Sequence, residues 1–157
     1  MYLSAMESPL GRLILTANDT ALTGLWFADQ INAPNCPNGI FRPEHPVFEQ
    51  AFDWLNAYFS RSPLPPLPPL APQGSDFQQA VWQQLLEIPY GQTITYGTLA
   101  QSIHCPSPQA VGNAVGRNPI SIVIPCHRVV GRNGQLTGYA GGLHRKQWLL
   151  ELEKINL

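Results

Sequence analysis

The chain has 157 residues, nine Lys/Arg against ten Asp/Glu for a formal net charge of −1, and 44% hydrophobic side chains. That content supports a packed core in one domain or two small ones and excludes wholesale disorder, while the near-neutral charge excludes a strong non-specific nucleic-acid binder. No run approaches the roughly 18 consecutive apolar residues of a membrane span. The segment from Met1 to Glu7 lacks the basic and apolar regions of a signal peptide. Cys36, Cys105 and Cys126 are widely spaced, with no Cys-x-x-Cys pair, which predicts free thiols in the cytoplasm and no metal or cofactor.

Tyr2 to Met6, Arg12 to Ala17 and Leu22 to Phe27 are expected as short strands of an antiparallel meander, separated by the turn signals Glu7 to Gly11 and Asn18-Asp19. Residues 30–46, with Pro34, Pro37, Gly39, Pro43 and Pro46, read as a loop. Val47 to Ser60 places Val47, Phe48, Ala51, Phe52, Leu55 and Tyr58 at helical spacing, an amphipathic helix to cover the sheet. This half shows no chemistry and reads as a scaffold. Pro63 to Pro72 holds too many prolines for helix or central strand and is expected as extended polyproline II. A spacer is the simpler reading of it; a PxxP ligand is the other.

The boundary then falls between an N-terminal domain, 1–73, and a C-terminal one, 74–157. Their charges differ: three arginines against six acids give −3, and six Lys/Arg against four acids give +2. If either domain meets phosphates, it is the second.

Ser75, three residues before Gln78, opens a helix with a capping-box pattern, followed by Phe77, Val81, Trp82, Leu85 and Leu86. Tyr96 to Ile103 is a second short helix. Ser107 is a natural N-cap and Pro108 a natural first residue for a third, which ends at Gly116 in a C′ role. Two short helices joined by a tight turn suggest a helix-turn-helix. With Ala110, Gly112, Ala114 and Gly116, the second helix is nearly bare of large side chains. That suits either close helix packing or close approach to a groove wall, not a major-groove reader. Gly131-Arg132-Asn133-Gly134 is a hairpin signal, Gly138 to Gly142 a backbone that admits a close ligand, and Leu143 to Glu153 a closing helix.

Ile122 to Val130 reads as a buried apolar strand, yet it carries Pro125-Cys126-His127-Arg128. Cys126 is either inert packing or a nucleophile, and a nucleophile needs a base to make it a thiolate. His127 is adjacent, but in extended backbone successive side chains face opposite ways, so a bridging water is the natural connection.

From Phe77 to Glu153 the sequence resembles the O6-alkylguanine-DNA alkyltransferases. The resemblance rests on Phe77-Gln78-x-x-Val81-Trp82, Ile88-Pro89-x-Gly91-x-Thr93-x-Thr95-Tyr96, Ala110-Val111-Gly112, Asn118-Pro119, Ile124-Pro125-Cys126-His127-Arg128-Val129, Gly138-Tyr139-x-Gly141-Gly142 and Lys146-x-Trp148-Leu149-Leu150-x-x-Glu153. It implies a ribonuclease H-like α/β N-terminal domain and a mostly α, winged helix-turn-helix-like C-terminal domain. The implied activity is irreversible transfer of an alkyl group from O6 of guanine, with O4 of thymine as a second candidate substrate, to Cys126 after the base is flipped out of the duplex.

The same resemblance implies roles for individual residues. His127 and Glu153 form the proton path and Tyr96 the proton donor. Val129, Tyr139, Ala140 and Asn118 serve the base pocket, with Ser121 at its wall. Gln109, Ala110, Gly112, Asn113, Arg117 and Arg128 meet DNA, in the minor groove and with little sequence specificity. The implied partner is double-stranded DNA, and the protein is expected as a monomer. Gln109 departs from the family's pattern, where an arginine fills the gap left by the flipped base. Two other classes remain in view: a lesion-binding module that does not repair, and a Cys-His-Glu hydrolase. The Cys126 thiol speaks against the first, and the lack of an oxyanion-hole signature against the second.

Overall fold

The computed structural model describes residues 1–30, 33–36 and 38–154. The chain divides into two compact units, Met1–Pro72 and Gln73–Leu157.

In the N-terminal unit, β1 (Tyr2–Ser8), β2 (Gly11–Ala17) and β3 (Leu22–Phe27) form the expected meander. The sheet has a fourth strand, β4 (Ile40–Phe41), which lies parallel to β1 at the edge, so the order is β3-β2-β1-β4. The sequence reading placed these two residues in a loop; Pro37, also assigned to that loop, lies outside the described residues. A two-residue strand carries no alternation to detect, and its backbone bonds to Met1 and Leu3 exist only once the chain has folded back. Helix α1 (Pro46–Ser60) buries Val47, Phe48, Ala51, Trp54, Leu55 and Tyr58. Its N-cap is His45, whose Nδ1 accepts from Val47 N–H at 3.1 Å. The proline-rich stretch is more than a spacer. Leu22 N–H donates to Pro69 O and Ala71 N–H to Leu22 O, each at 2.8 Å, which ties its end to β3.

The C-terminal unit is built from α2 (Asp76–Leu86), α3 (Tyr96–Ser102), α4 (Pro108–Gly116) and α5 (Leu143–Lys154). A minimal parallel pair, β5 (Ile94–Thr95) and β6 (Val129–Val130), completes it. The capping box is formed on both sides: Gln78 N–H donates to Ser75 Oγ at 3.1 Å and Ser75 N–H to Gln78 Oε1 at 2.9 Å. Thr95 and Ser107 cap α3 and α4 in the same way. Trp82 of α2 donates its indole N–H to Ala114 O at 2.9 Å and so fixes α4 from behind.

Three expectations change here. Gly116 is the last helical residue, not a left-handed cap, because Arg117 N–H closes the helix on the Ala114 and Val115 carbonyls. Asn133 and Gly134 do take the positive φ of a tight turn, 61° and 78°, but no hairpin ladder follows, since β6 pairs with β5 instead. The largest change is at 122–130. Only Val129 and Val130 are strand; Cys126–Arg128 is a 3-10 turn, and Ile122 sits at φ 71°. Pro125 cannot donate to a ladder, and Asn118 takes over the bonding. Its Nδ2 donates to Ile124 O at 2.8 Å, and its Oδ1 accepts from Ile120 N–H at 2.9 Å. A β-branched residue in the left-handed region costs on the order of 1–3 kcal/mol, so the turn persists because its surroundings impose it.

Candidate active site

The turn that Asn118 braces ends in Cys126, which is 7% exposed, at the floor of a cavity of about 160 Å³. Tyr96 from the start of α3 and Gly112 and Gly116 from α4 form one side of the cavity, and Ser121, Tyr139 and Ala140 the other. The helix lacks side chains at the positions where they would fill this space. A Cβ on Gly112 would already stand 3.7 Å from the Tyr96 ring.

Behind the cysteine, His127 is fully buried and its Nε2 lies 2.6 Å from Glu153 Oε2. Glu153 is held on several sides. Arg128 donates Nε to Oε1 at 2.8 Å and Nη2 to Oε2 at 3.1 Å, and Gly91 N–H donates to Oε1 at 3.1 Å. Burial opposes its charge, but the hydrogen bond and charge of His127, then those of Arg128, outweigh it and pull the carboxyl down to about 2. Glu153 is therefore a carboxylate at neutral pH.

Burial pushes His127 the other way, below the ordinary imidazole range; contact with Glu153 opposes this, and the Arg128 and Lys146 cations add to it. Because Arg128 already balances the carboxylate, the imidazole can rest neutral, as a base must. With Nε2 engaged, Nδ1 is the nitrogen left to take a proton. Burial likewise raises the Cys126 thiol, opposed by Asn118 and by the Lys146 charge. The thiol is thus protonated at rest.

One predicted residue lies elsewhere. Arg128, expected at the DNA surface, is 8% exposed, and its third donor, Nη1, is bound to Ile88 O at 2.8 Å. With each of its three nitrogens bound inward, it anchors Glu153 from inside the fold and does not stand at the surface. Val129, of which the resemblance assigns only the main-chain carbonyl to the base, has its side chain buried in β6. Gln109, Gly112, Asn113 and Gly116 fall on one face of α4, opposite the buried Val111, Ala114 and Val115, with Ala110 half-buried and Arg117 exposed at the helix end.

The sequence reading passed over Lys146 as a motif residue, yet it is fully buried. Its ammonium donates to Thr137 O at 2.7 Å and Gly138 O at 3.3 Å. The signal was present: Lys146, Leu149, Leu150 and Glu153 share the apolar stripe of α5, where a cation and a carboxylate have no place without partners.

Residues 1–69 match the ribonuclease-like domain of 6-O-methylguanine DNA methyltransferase, and residues 76–155 match its DNA-binding domain. The chain belongs to the 6-O-methylguanine DNA methyltransferase family. It is 46% identical over 155 residues to the methylated-DNA--protein-cysteine methyltransferase of Mycobacterium leprae, covering 98% of this chain and 93% of that one. The Methanosarcina barkeri protein of the same name is also 46% identical, over 100% of this chain and 99% of its own. Among solved structures, Mycobacterium tuberculosis OGT in complex with DNA superposes with a TM-score of 0.92 at 43% identity, covering 99% of this chain and 94% of that one. The family match thus extends into the N-terminal unit, where the sequence reading saw likeness in architecture alone.

Proposed function

We propose that this protein repairs O6-alkylguanine in double-stranded DNA by moving the alkyl group irreversibly onto Cys126. The observation that carries the reading is a buried thiol in a cavity lined in part by Gly112 and Gly116 of α4, with the buried His127–Glu153 pair next to it in the chain and on α5.

A cysteine so enclosed is out of reach of a base stacked in a duplex, so the lesion must swing out of the helix, at a cost of a few kcal/mol. The glycines of α4 let its exposed face lie close in the minor groove, where little sequence can be read; that suits repair at any site. Gln109, Asn113 and Arg117 face outward there to meet the duplex. The flipped base enters between Tyr96 and Tyr139. The Cys126 proton passes through a water to His127 Nδ1, and Glu153 stabilises the imidazolium. The thiolate sulfur forms a bond to the alkyl carbon as the carbon–O6 bond breaks, and the electron pair enters the purine. Tyr96 gives its phenolic proton to the departing guanine. The S-alkyl product has no route back, so each molecule acts once.

Intact-protein mass after incubation with O6-methylguanine duplex DNA tests this. A gain of one methyl per protein, absent in Cys126→Ala, is expected. Tight binding without mass gain would identify a lesion-binding module instead, and repeated product release from unmodified protein a hydrolase.

A further inference from the structure

The strap 131–142 closes one side of the cavity, and one of its side chains has no role in the steps above. Thr137 sits on this strap with its methyl toward Gly131, where a Cβ would be 3.2 Å away, and its hydroxyl within hydrogen-bonding reach of the Tyr96 hydroxyl. Its carbonyl is the nearer of the two held by the buried Lys146 ammonium, at 2.7 Å. The same ammonium lies 5.9 Å from the centre of the Tyr96 ring. Ring and strap are therefore fixed to one cation from α5.

We propose that Thr137 is the positioning residue for the Tyr96 phenol, held in register by Lys146. The inference rests on the reading that Tyr96 supplies the proton. A phenol that gives its hydrogen to a leaving base cannot also spend it on a neighbour, so its oxygen must be oriented by a donor. Thr137 is that donor: its O–H points to the Tyr96 oxygen and leaves the phenolic hydrogen aimed into the cavity. As the sulfur–carbon bond forms and the carbon–O6 bond breaks, the proton moves from Tyr96 to the purine. The oxygen becomes a phenoxide, and the Thr137 hydrogen bond strengthens on it without giving up its own proton. Burial raises the Tyr96 hydroxyl and Thr137 works against that, in the direction the role requires. Thr137 is itself exposed, so the phenoxide can be reprotonated from solvent afterwards.

The test uses the full-length protein and an O6-methylguanine duplex, with the single-turnover transfer rate measured separately from DNA affinity. Thr137→Val keeps the shape and deletes the hydroxyl. It should slow transfer roughly tenfold to a hundredfold, the loss of a hydrogen bond to a developing charge, with affinity unchanged. Thr137→Ser should restore the rate, and the Thr137→Val change should slow Tyr96→Phe no further. If Ser is as slow as Val, the methyl's packing and not the hydroxyl matters, and the proposal fails; this holds even if Val lowers the melting temperature. If Thr137→Val transfers at full rate while Tyr96→Phe is slow, Thr137 has no role and the Tyr96 reading stands. Full rate in Tyr96→Phe would remove both.

Discussion

The N-terminal unit buries aliphatic and aromatic side chains around three polar residues, Ser4, Thr16 and His45. The C-terminal unit buries four ionisable side chains besides Cys126 and His127: Arg128, Arg145, Lys146 and Glu153. The first unit leaves its ion pair at the surface, Arg42 to Glu44 at 3.5 Å; the second encloses Arg128 and Glu153 at 2.8 Å. A buried charge is costly unless paired and hydrogen-bonded, and a hydrophobic pair of the same volume would often serve stability better. In the C-terminal unit the buried charges hold His127 and the strap 131–142 in place. The scaffold has no such duty, and its core is correspondingly plain.

The widest test of this contrast compares the two arginines. Arg128→Met takes the guanidinium from the buried Glu153 carboxylate and should destabilise the C-terminal unit by about 3–5 kcal/mol in chemical denaturation. Arg42→Met should cost the N-terminal unit less than about 1 kcal/mol. Equal costs would show that burial is not what separates the units. Glu153→Gln keeps the shape but removes the charge that supports the imidazolium, so single-turnover transfer should slow by at least about a hundredfold. A rate within a factor of two of the parent's would mean that the carboxylate is structural only.

Acid should also act on the units unequally. Glu153 and His127 are both depressed in the folded state, so each contributes stability that is present above its unfolded value and lost as pH falls. The C-terminal unit should weaken first below about pH 6.5, as unfolded histidine gains a proton, and again from about 4.3 toward 2, as Glu153 does. Melting followed by Trp82 and Trp148 fluorescence would show it, and a profile flat from pH 7 to 3 would contradict it. The smallest effect concerns the DNA face. Gln109→Arg restores a guanidinium at a position exposed on α4 and should tighten duplex binding roughly tenfold, with a steeper salt dependence. Unchanged affinity and transfer rate would show that Gln109 already serves.

How much of this was readable in advance differed between the units in the same way. β1, β2, β3 and α1 follow local periodicity, and the Ser75 capping box formed as written, because those signals act between residues a few positions apart. The candidate site residues Cys126 and His127 were picked out by the Pro-Cys-His-Arg pattern, not by geometry. Their backbone was misjudged: an apolar run that looks like a strand becomes a turn when Asn118, six residues before Ile124, satisfies the groups a sheet partner would have taken.

Cys126, the turn the chain is organised around, shows where the line falls. The sequence by itself determined a cysteine and a histidine side by side in Pro-Cys-His-Arg, a helix poor in large side chains and the order of helices. Only the tertiary structure decided that Arg128 turns inward to Glu153, that Lys146 lies fully buried under the strap, and that Thr137 meets Tyr96. A side chain's propensity is local, whereas the partner of a buried charge is chosen by whichever distant groups the fold brings within about 3 Å of it.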